Sequence, residues 1–192
     1  MKNYKIIEVK ESIFKQNDQD ANLLRKKLKD QHTFLLNLMA SPGAGKTTTL
    51  IQILSILKSK LKIGVMEADI DSDVDAKKIL EKTGIDSIQL HTGGMCHLTA
   101  HMTEQGIDAL DNHYDFLVLE NVGNLVCPAE FDTGSHLNAA ILSVPEGDDK
   151  PLKYPLMFQV CDLVIINKID VAPYFDFDFA KAKENILMRN PN

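Results

Sequence analysis

An apolar stretch at 33–39 runs directly into ASPGAGKTTTL at 40–50. A glycine-bearing turn between a strand and a helix aims backbone N–H groups inward, and the helix N-terminus adds partial positive charge, so the run reads as a phosphate cradle. Gly43, Ala44, Gly45, Lys46, Thr47 and Thr48 would surround the phosphates. Lys46 would reach the β- and γ-groups, and the Thr47 hydroxyl would ligate Mg²⁺. Ala40 stands where G-x-x-x-x-G-K-[ST] has its first glycine, so a glycine-rich turn with a surface lysine is the competing reading.

A loop of this kind belongs to alternating strands and helices, and the rest of the chain supplies them. Apolar runs predict strands at 34–39, 62–67, 87–91, 115–120, 139–144 and 162–167, several continuous enough to be covered on both faces. Helical patterns fall at 45–59, 74–82, 95–110, 151–160 and 179–189. The expected fold class is α/β, a doubly wound, mainly parallel sheet with helices on both faces, as in P-loop NTPases. Residues 1–31 read as a helical arm whose stripe of Ile13, Phe14, Leu23, Leu24 and Leu28 packs on the domain or on a partner. Residues 32–192 form the phosphate-loop domain. Ligands of such sheets bind at the carboxyl ends of the strands, and every motif below falls just after a strand.

Composition narrows the function classes. A chain of 192 residues is expected to form one domain with a sizeable core. A net charge of −6 and only two arginines, Arg25 and Arg189, argue against DNA or RNA as partner. No apolar run spans a bilayer and the N-terminus lacks a signal-peptide core, so a cytoplasmic protein without membrane partner is expected. Three cysteines, Cys96, Cys127 and Cys161, suit thiols or metal ligands better than a disulfide framework.

Three further motifs bear on the nucleotide. DFLVLE at 115–120 ends in Glu120, where a strand-end acid beside a phosphate loop would hold or orient Mg²⁺, and Gly123 could offer its N–H to the γ-phosphate. The competing reading is an acid that merely ends a strand. NKID at 167–170 follows an apolar strand. The Asp170 carboxylate can accept hydrogen bonds from guanine N1–H and its exocyclic amine, whereas adenine would leave it unpaired, so GTP is expected over ATP. Lys168 can lie along the base and Asn167 can tie this loop back to the cradle. EADIDSDVD at 67–75 imitates a calcium loop but has Val74 for the required glycine and Leu80 for the closing glutamate. It reads instead as a switch segment, Asp69 near Mg²⁺ and Asp75 orienting water, or as a solvated acidic loop. No arginine lies near these motifs, and Asn124 follows Gly123 where a water-orienting glutamine would sit, so slow intrinsic hydrolysis is expected.

A second chemistry lies at Gly93-Gly94-Met95-Cys96-His97 and at Cys127-Pro128. Cysteine and neutral histidine are ligands of zinc and nickel. Cys96, near the predicted helix start, is expected to have a lowered thiol pKa. Small buried cysteines and a surface histidine are the alternative. A fourth ligand could be water, His101 or a group from a second copy. Cys161 reads as core. Lys150 or Lys153 could supply a cation to a nucleotide or across a dimer, or could belong to a solvated loop.

Together these residues resemble the nickel-insertion GTPases of hydrogenase maturation, the HypB family. The resemblance runs from about Thr33 to Arg189 and is carried by CHLTAHM at 96–102, ENVGNLVCP at 120–128, SVPEGDDK at 143–150 and NKID. It implies a metallochaperone GTPase that dimerises with GTP, carries nickel or zinc on Cys96, His97 and Cys127, and works with a nickel-donor or acceptor protein to load the [NiFe] hydrogenase large subunit. Asp69 and Asp75, not Asp71 or Asp73, match the family's switch acids, so the implied catalytic set is Lys46, Asp69, Asp75 and Glu120, with Thr47, Asp69 and Glu120 on Mg²⁺. The sequence carries neither an N-terminal cysteine cluster nor a histidine-rich tract. The family continues past the position of Asn192 with a further strand–helix unit, which this sequence is expected to lack. The urease-type nickel accessory GTPase is a sister reading, though its metal motif runs Cys-Pro-His. A MinD-like ATPase would need a signature lysine where Ser41-Pro42 stand. A nucleotide-locked switch with negligible turnover is the remaining alternative.

Overall fold

Six strands pair in parallel in the order β3-β2-β4-β1-β5-β6, in the computed structural model, which describes residues 9–70 and 72–192. Residues 1–8 of the expected arm and Asp71 of the acidic run lie outside the described residues. The strands are β1 (Phe34–Ala40), β2 (Ile63–Asp69), β3 (Asp86–His91), β4 (Phe116–Glu120), β5 (Leu137–Ser143) and β6 (Leu163–Asn167). The helices are α1 (Val9–Asp30), α2 (Lys46–Leu57), α3 (Val74–Thr83), α4 (Ala100–Ala109), α5 (Cys127–Glu130), α6 (Lys150–Lys153), α7 (Pro155–Val160) and α8 (Phe179–Leu187). The architecture is the doubly wound α/β sheet expected.

Side chains alternate across each strand, which sorts the core into layers. Leu38, Val65 and Val118 face α2 and α3, packing on Leu50, Leu54 and Ile79. Leu35, Met66, Leu117 and Leu119 face the other way, against Leu24 and Leu28 of α1 and Leu98 and Leu110 flanking α4. Met39, Ala140 and Leu142 pack on Met157 and Phe158 of α7. By the same alternation Glu67 and Glu120, two residues beyond Val65 and Val118, turn toward α2. No helix among the described residues is long and apolar enough to cross a membrane.

Three local expectations are corrected. The helix expected over 95–110 begins only at Ala100: Gly93 and Gly94 take left-handed φ values of 62° and 98°, and Thr99 caps the helix by accepting the Met102 N–H. Cys96 therefore precedes the helix instead of opening it. The helix expected over 151–160 breaks at Tyr154, because Pro155 lacks an N–H and pushes the preceding residue out of helical geometry. On α1, Ile13 and Leu23 are exposed; the face turned inward is Phe14, Asn17, Ala21, Leu24 and Leu28, a three-four spacing that includes an asparagine.

Candidate functional site

The cradle forms between β1 and α2. Gly45 caps α2 with φ of 98°, and a Cβ there would fall 2.5 Å from Asn167 Nδ2. Asn167 Nδ2 donates to the Ala44 carbonyl at 2.9 Å and Lys168 Nζ to the Gly43 carbonyl at 2.6 Å, so the end of β6 is tied to the loop after β1. Lys168 is itself left-handed, φ 56°, an uncommon conformation outside glycine. Asp170 is exposed at the start of the 3-10 turn that follows. Gly123 lies against Pro42, leaving 3.3 Å for any Cβ.

A cavity of about 600 Å³ opens over the loop, lined by Gly43, Gly45, Lys46, Thr47, Thr48, Glu67, Asp69, Asp75, Glu120 and Gly123, with Lys78 and Lys168 at its margin. Thr47 Oγ1 donates to Glu120 Oε1 at 2.8 Å. Glu67, Asp75 and Glu120 present carboxylate oxygens within 4.8 Å of one another. Glu67 Oε2 and Glu120 Oε2 are buried without a hydrogen-bond partner. Burial pushes the Glu67 carboxyl up to about 8, against a hydrogen bond from Gln89, and Glu120 up to about 7, against the Thr47 hydrogen bond and the Lys46 charge. Asp69 lines the same cavity but stands outside that carboxylate group, and its Oδ1 accepts the Ser72 N–H at 3.0 Å. Glu67 lies outside the residues the sequence marks for the site; the signal in the chain is a charged residue closing an apolar strand run.

Two other residues brace the loop from behind. Glu146 accepts the Ser41 hydroxyl through Oε1 and the Ser143 N–H and hydroxyl through Oε2, at 2.9 and 2.7 Å. Asn121 donates to Asn37 Oδ1 at 3.0 Å and Asn37 to Asn138 Oδ1 at 2.9 Å, a buried amide ladder beneath the Glu120 loop. Lys150 and Lys153 do not line the cavity: Lys153 pairs with Asp149 at 2.6 Å and Lys150 lies over the Tyr154 ring.

The thiols meet on the same sheet edge. Cys96 Sγ lies 3.9 Å from His97 Nδ1. Cys127, the first residue of α5, is held above the usual thiol range, first by its interaction with the neighbouring Cys96 thiol and then by burial. Burial lowers the His97 pKa, favouring the neutral imidazole that can ligate a metal. The three donors do not all fall within 4.8 Å of one another among the described residues. His101 is exposed on α4. Cys161 is buried in the core with its thiol pushed up to about 12.

The family described as CobW/HypB/UreG, nucleotide-binding domain, matches residues 34–192. The chain is 44% identical over 189 residues to the hydrogenase/urease maturation factor HypB of Helicobacter hepaticus, covering 96% of this chain and 77% of that protein. It is 44% identical over 192 residues to the hydrogenase maturation factor HypB of Rhizobium leguminosarum bv. viciae, of which it spans 64%. The fold superposes on the crystal structure of HypB from Helicobacter pylori in complex with nickel with a TM-score of 0.85 at 41% identity, covering 92% of this chain and 83% of that one. HypB from Archaeoglobus fulgidus gives 0.83 at 35%, covering 92% and 86%. The signal recognition particle receptor FtsY of Elizabethkingia anophelis, at 14% identity and a TM-score of 0.56, shares the fold alone.

Proposed function

The chain belongs to the CobW/HypB/UreG family, and on that premise we propose that it is a slow GTPase and metallochaperone of the cytoplasm. It carries nickel or zinc on Cys96, His97 and Cys127, dimerises with GTP and assists nickel insertion into hydrogenase. The observation that carries this reading is continuity: β4 ends in Glu120 at the phosphate cradle, and the loop that follows reaches Cys127 at the thiol pair. A nucleotide that shifts this loop shifts a metal ligand.

The nucleotide chemistry follows from the lining. Backbone N–H groups of Gly43 to Thr48 and the Lys46 ammonium bind the β- and γ-phosphates, and Gly123 offers an N–H to the γ-phosphate. Thr47, Glu120 and Glu67 present only oxygen donors, with one carboxylate oxygen of each glutamate buried and unpaired, which suits a hard cation such as Mg²⁺. When bound, Mg²⁺ would neutralise charge on the phosphate oxygens. Asp75 accepts a hydrogen bond from the attacking water and orients it, while Asp69 holds the switch segment near the phosphates. Asp170 reads guanine, Lys168 flanks the base, and Asn167 locks the two loops together. Among the described residues, the cations lining the cavity are Lys46, Lys78 and Lys168, which supports slow turnover until a second copy or a partner completes the site.

Nickel is cargo. Two copies facing each other would pool two sets of Cys96, His97 and Cys127 and supply the ligands that one set lacks. A nickel-donor or acceptor protein and the hydrogenase large subunit are the proposed partners. The Helicobacter hepaticus relative is named a hydrogenase and urease maturation factor, which supports urease as a second destination.

The test is a paired titration. Cys127→Ala should weaken nickel and zinc binding at least ~10-fold and leave mant-GTP affinity within about 2-fold. Asp170→Ala should do the reverse and erase the preference for GTP over ATP. Unchanged metal titrations in Cys127→Ala would remove the metallochaperone half, and equal affinity of the parent protein for ATP and GTP would remove the guanine half. Phosphate release, and molecular size with GDP or a non-hydrolysable GTP analogue, separate a turning-over dimer from a locked switch.

A further inference from the structure

The metal-bearing segments leave the sheet at strands that are not neighbours. Cys96 and His97 follow β3, Cys127 follows β4, and β2 lies between the two. Sheet pairing alone therefore does not set the distance between the thiols. One helix touches both segments. Asn17 of α1 is 5% exposed; its Nδ2 donates to the Asp132 carbonyl at 2.8 Å and its Oδ1 accepts the Ala100 N–H at 2.9 Å. Ala100 opens α4 just after His97, and Asp132 follows α5 just after Cys127. An amide is suited to this place, since it offers a donor and an acceptor in one rigid plane.

Neighbouring residues of α1 hold the same two segments. The Phe14 ring packs on Phe131 at 4.8 Å, and Phe131 stacks on the His97 imidazole at 3.8 Å with an interplanar angle of 8°. Arg25 grips the Asp132 carboxylate with both oxygens at 2.7 Å and donates through Nε to the Ser135 carbonyl at 2.8 Å. A Cβ on Gly134 would come within 2.8 Å of Leu24, so the chain beyond Asp132 runs against the helix.

We propose that Asn17 is a positioning residue for the metal site: through α1 it holds the Cys96–His97 segment and the Cys127 segment at the spacing that lets one ion engage both. This rests on the metal reading of the previous section. It makes the amino-terminal helix part of the metal centre without supplying a ligand. Groups that hold ligands in place typically change metal affinity by about 10–100-fold when removed.

The experiment uses the full chain and nickel alone, followed by the thiolate-to-nickel absorbance and by competition with a chelator. Asn17→Leu keeps the branching at Cγ and deletes both hydrogen bonds. It should lower nickel affinity ~10-fold or more and weaken the thiolate band, with mant-GDP affinity within about 2-fold of the parent. Arg25→Gln, at the half-exposed end of the same contact, should lower nickel affinity in the same direction by ~3-fold. A variant that binds mant-GDP and nickel like the parent, with the parent spectrum, overturns the proposal. Should Asn17→Leu fail to fold, Arg25→Gln decides it by the same criterion. Cys127→Ala run beside them keeps the two failures apart: parent-like nickel binding there removes the metal site itself, whereas loss in Cys127→Ala with none in Asn17→Leu and Arg25→Gln removes only the role of the helix.

Discussion

Glu67 and Glu120 are register partners on the adjacent strands β2 and β4, and each keeps one buried carboxylate oxygen without a partner. Burial is the main reason both carboxyls are raised, to about 8 and about 7. In the unfolded chain both ionise near pH 4.5. Below that value both states hold the protons and neither carboxyl costs stability. Between it and the raised values the unfolded chain releases protons that the folded protein keeps. Stability of the metal-free protein should therefore fall from about pH 5 to about pH 8 and level off above. Glu67→Gln should remove about 1–3 kcal/mol of that fall, and added Mg²⁺ should flatten the parent curve. Urea midpoints across this range, in chelator and in Mg²⁺, measure both; a parent curve that rises toward pH 8 would contradict the assignment.

Gly45 makes a second prediction because two constraints coincide there. Its φ of 98° disfavours any side chain, and a Cβ would strike Asn167 Nδ2 at 2.5 Å, the atom that ties β6 to the cradle. Gly43 shares the left-handed φ, at 72°, but has open space around its Cβ direction. Gly43→Ala should cost about 1 kcal/mol through backbone strain alone, and Gly45→Ala about 2–4 kcal/mol with loss of mant-GDP binding. Adding Asn167→Ala to Gly45→Ala should return part of the stability and none of the nucleotide affinity. Denaturant unfolding with parallel fluorescence titration distinguishes the two glycines.

Much of this was legible in the chain because the signals were local. The strand runs and the cradle depend on spacing within a few residues, and period-two alternation already fixes which way Val65 and Val118 face. What escaped is what tertiary contact decides. Glu67 read as part of an acidic run, and only its register with Glu120 reveals a buried pair. Asn17 sat inside an apolar stripe where sequence favoured Ile13 and Leu23, yet those two face outward and the amide faces in, because it pairs with backbone groups far away in the chain. Periodicity over 95–110 extends the predicted α4 too far back, because it carries no trace of the left-handed Gly93 and Gly94 or of the Thr99 cap. Glu146 stands within SVPEGDDK, and only the fold brings its two oxygens to Ser41 and Ser143.

That last contact gives a third prediction. Ser41 starts the cradle and Ser143 ends β5, so Glu146 fixes the loop to the strand beside it. Glu146→Ala should leave three donors to water and loosen the loop without altering any phosphate-facing group. Nucleotide affinity should drop about 3–10-fold, with a loss of about 1–2 kcal/mol in stability. Glu146→Gln, which keeps one acceptor oxygen and the volume but sets an NH2 donor where the other oxygen accepts, should lie between parent and alanine. Equal mant-GDP affinities in all three proteins would show that the buttress has no bearing on the cradle.

Asp75 separates chemistry from binding. It stands in the first turn of α3, on the cavity wall, with a carboxylate oxygen within 4.8 Å of those of Glu67 and Glu120. It lies beyond the residues that grip the phosphates, so its proposed work is to orient the attacking water. Asp75→Asn preserves size and hydrogen-bonding reach but removes the negative charge that draws the water proton. Single-turnover GTP hydrolysis should slow by about 10²-fold, while mant-GTP affinity stays within about 3-fold, the signature of an interaction made in the transition state. Glu120→Gln should differ in kind. By removing charge beside Thr47 it should raise the Mg²⁺ concentration needed for half-maximal GTP binding as well as slow the reaction. If Asp75→Asn instead weakens GTP binding and leaves the single-turnover rate intact, the residue belongs to the cation's ligand set and another group positions the water.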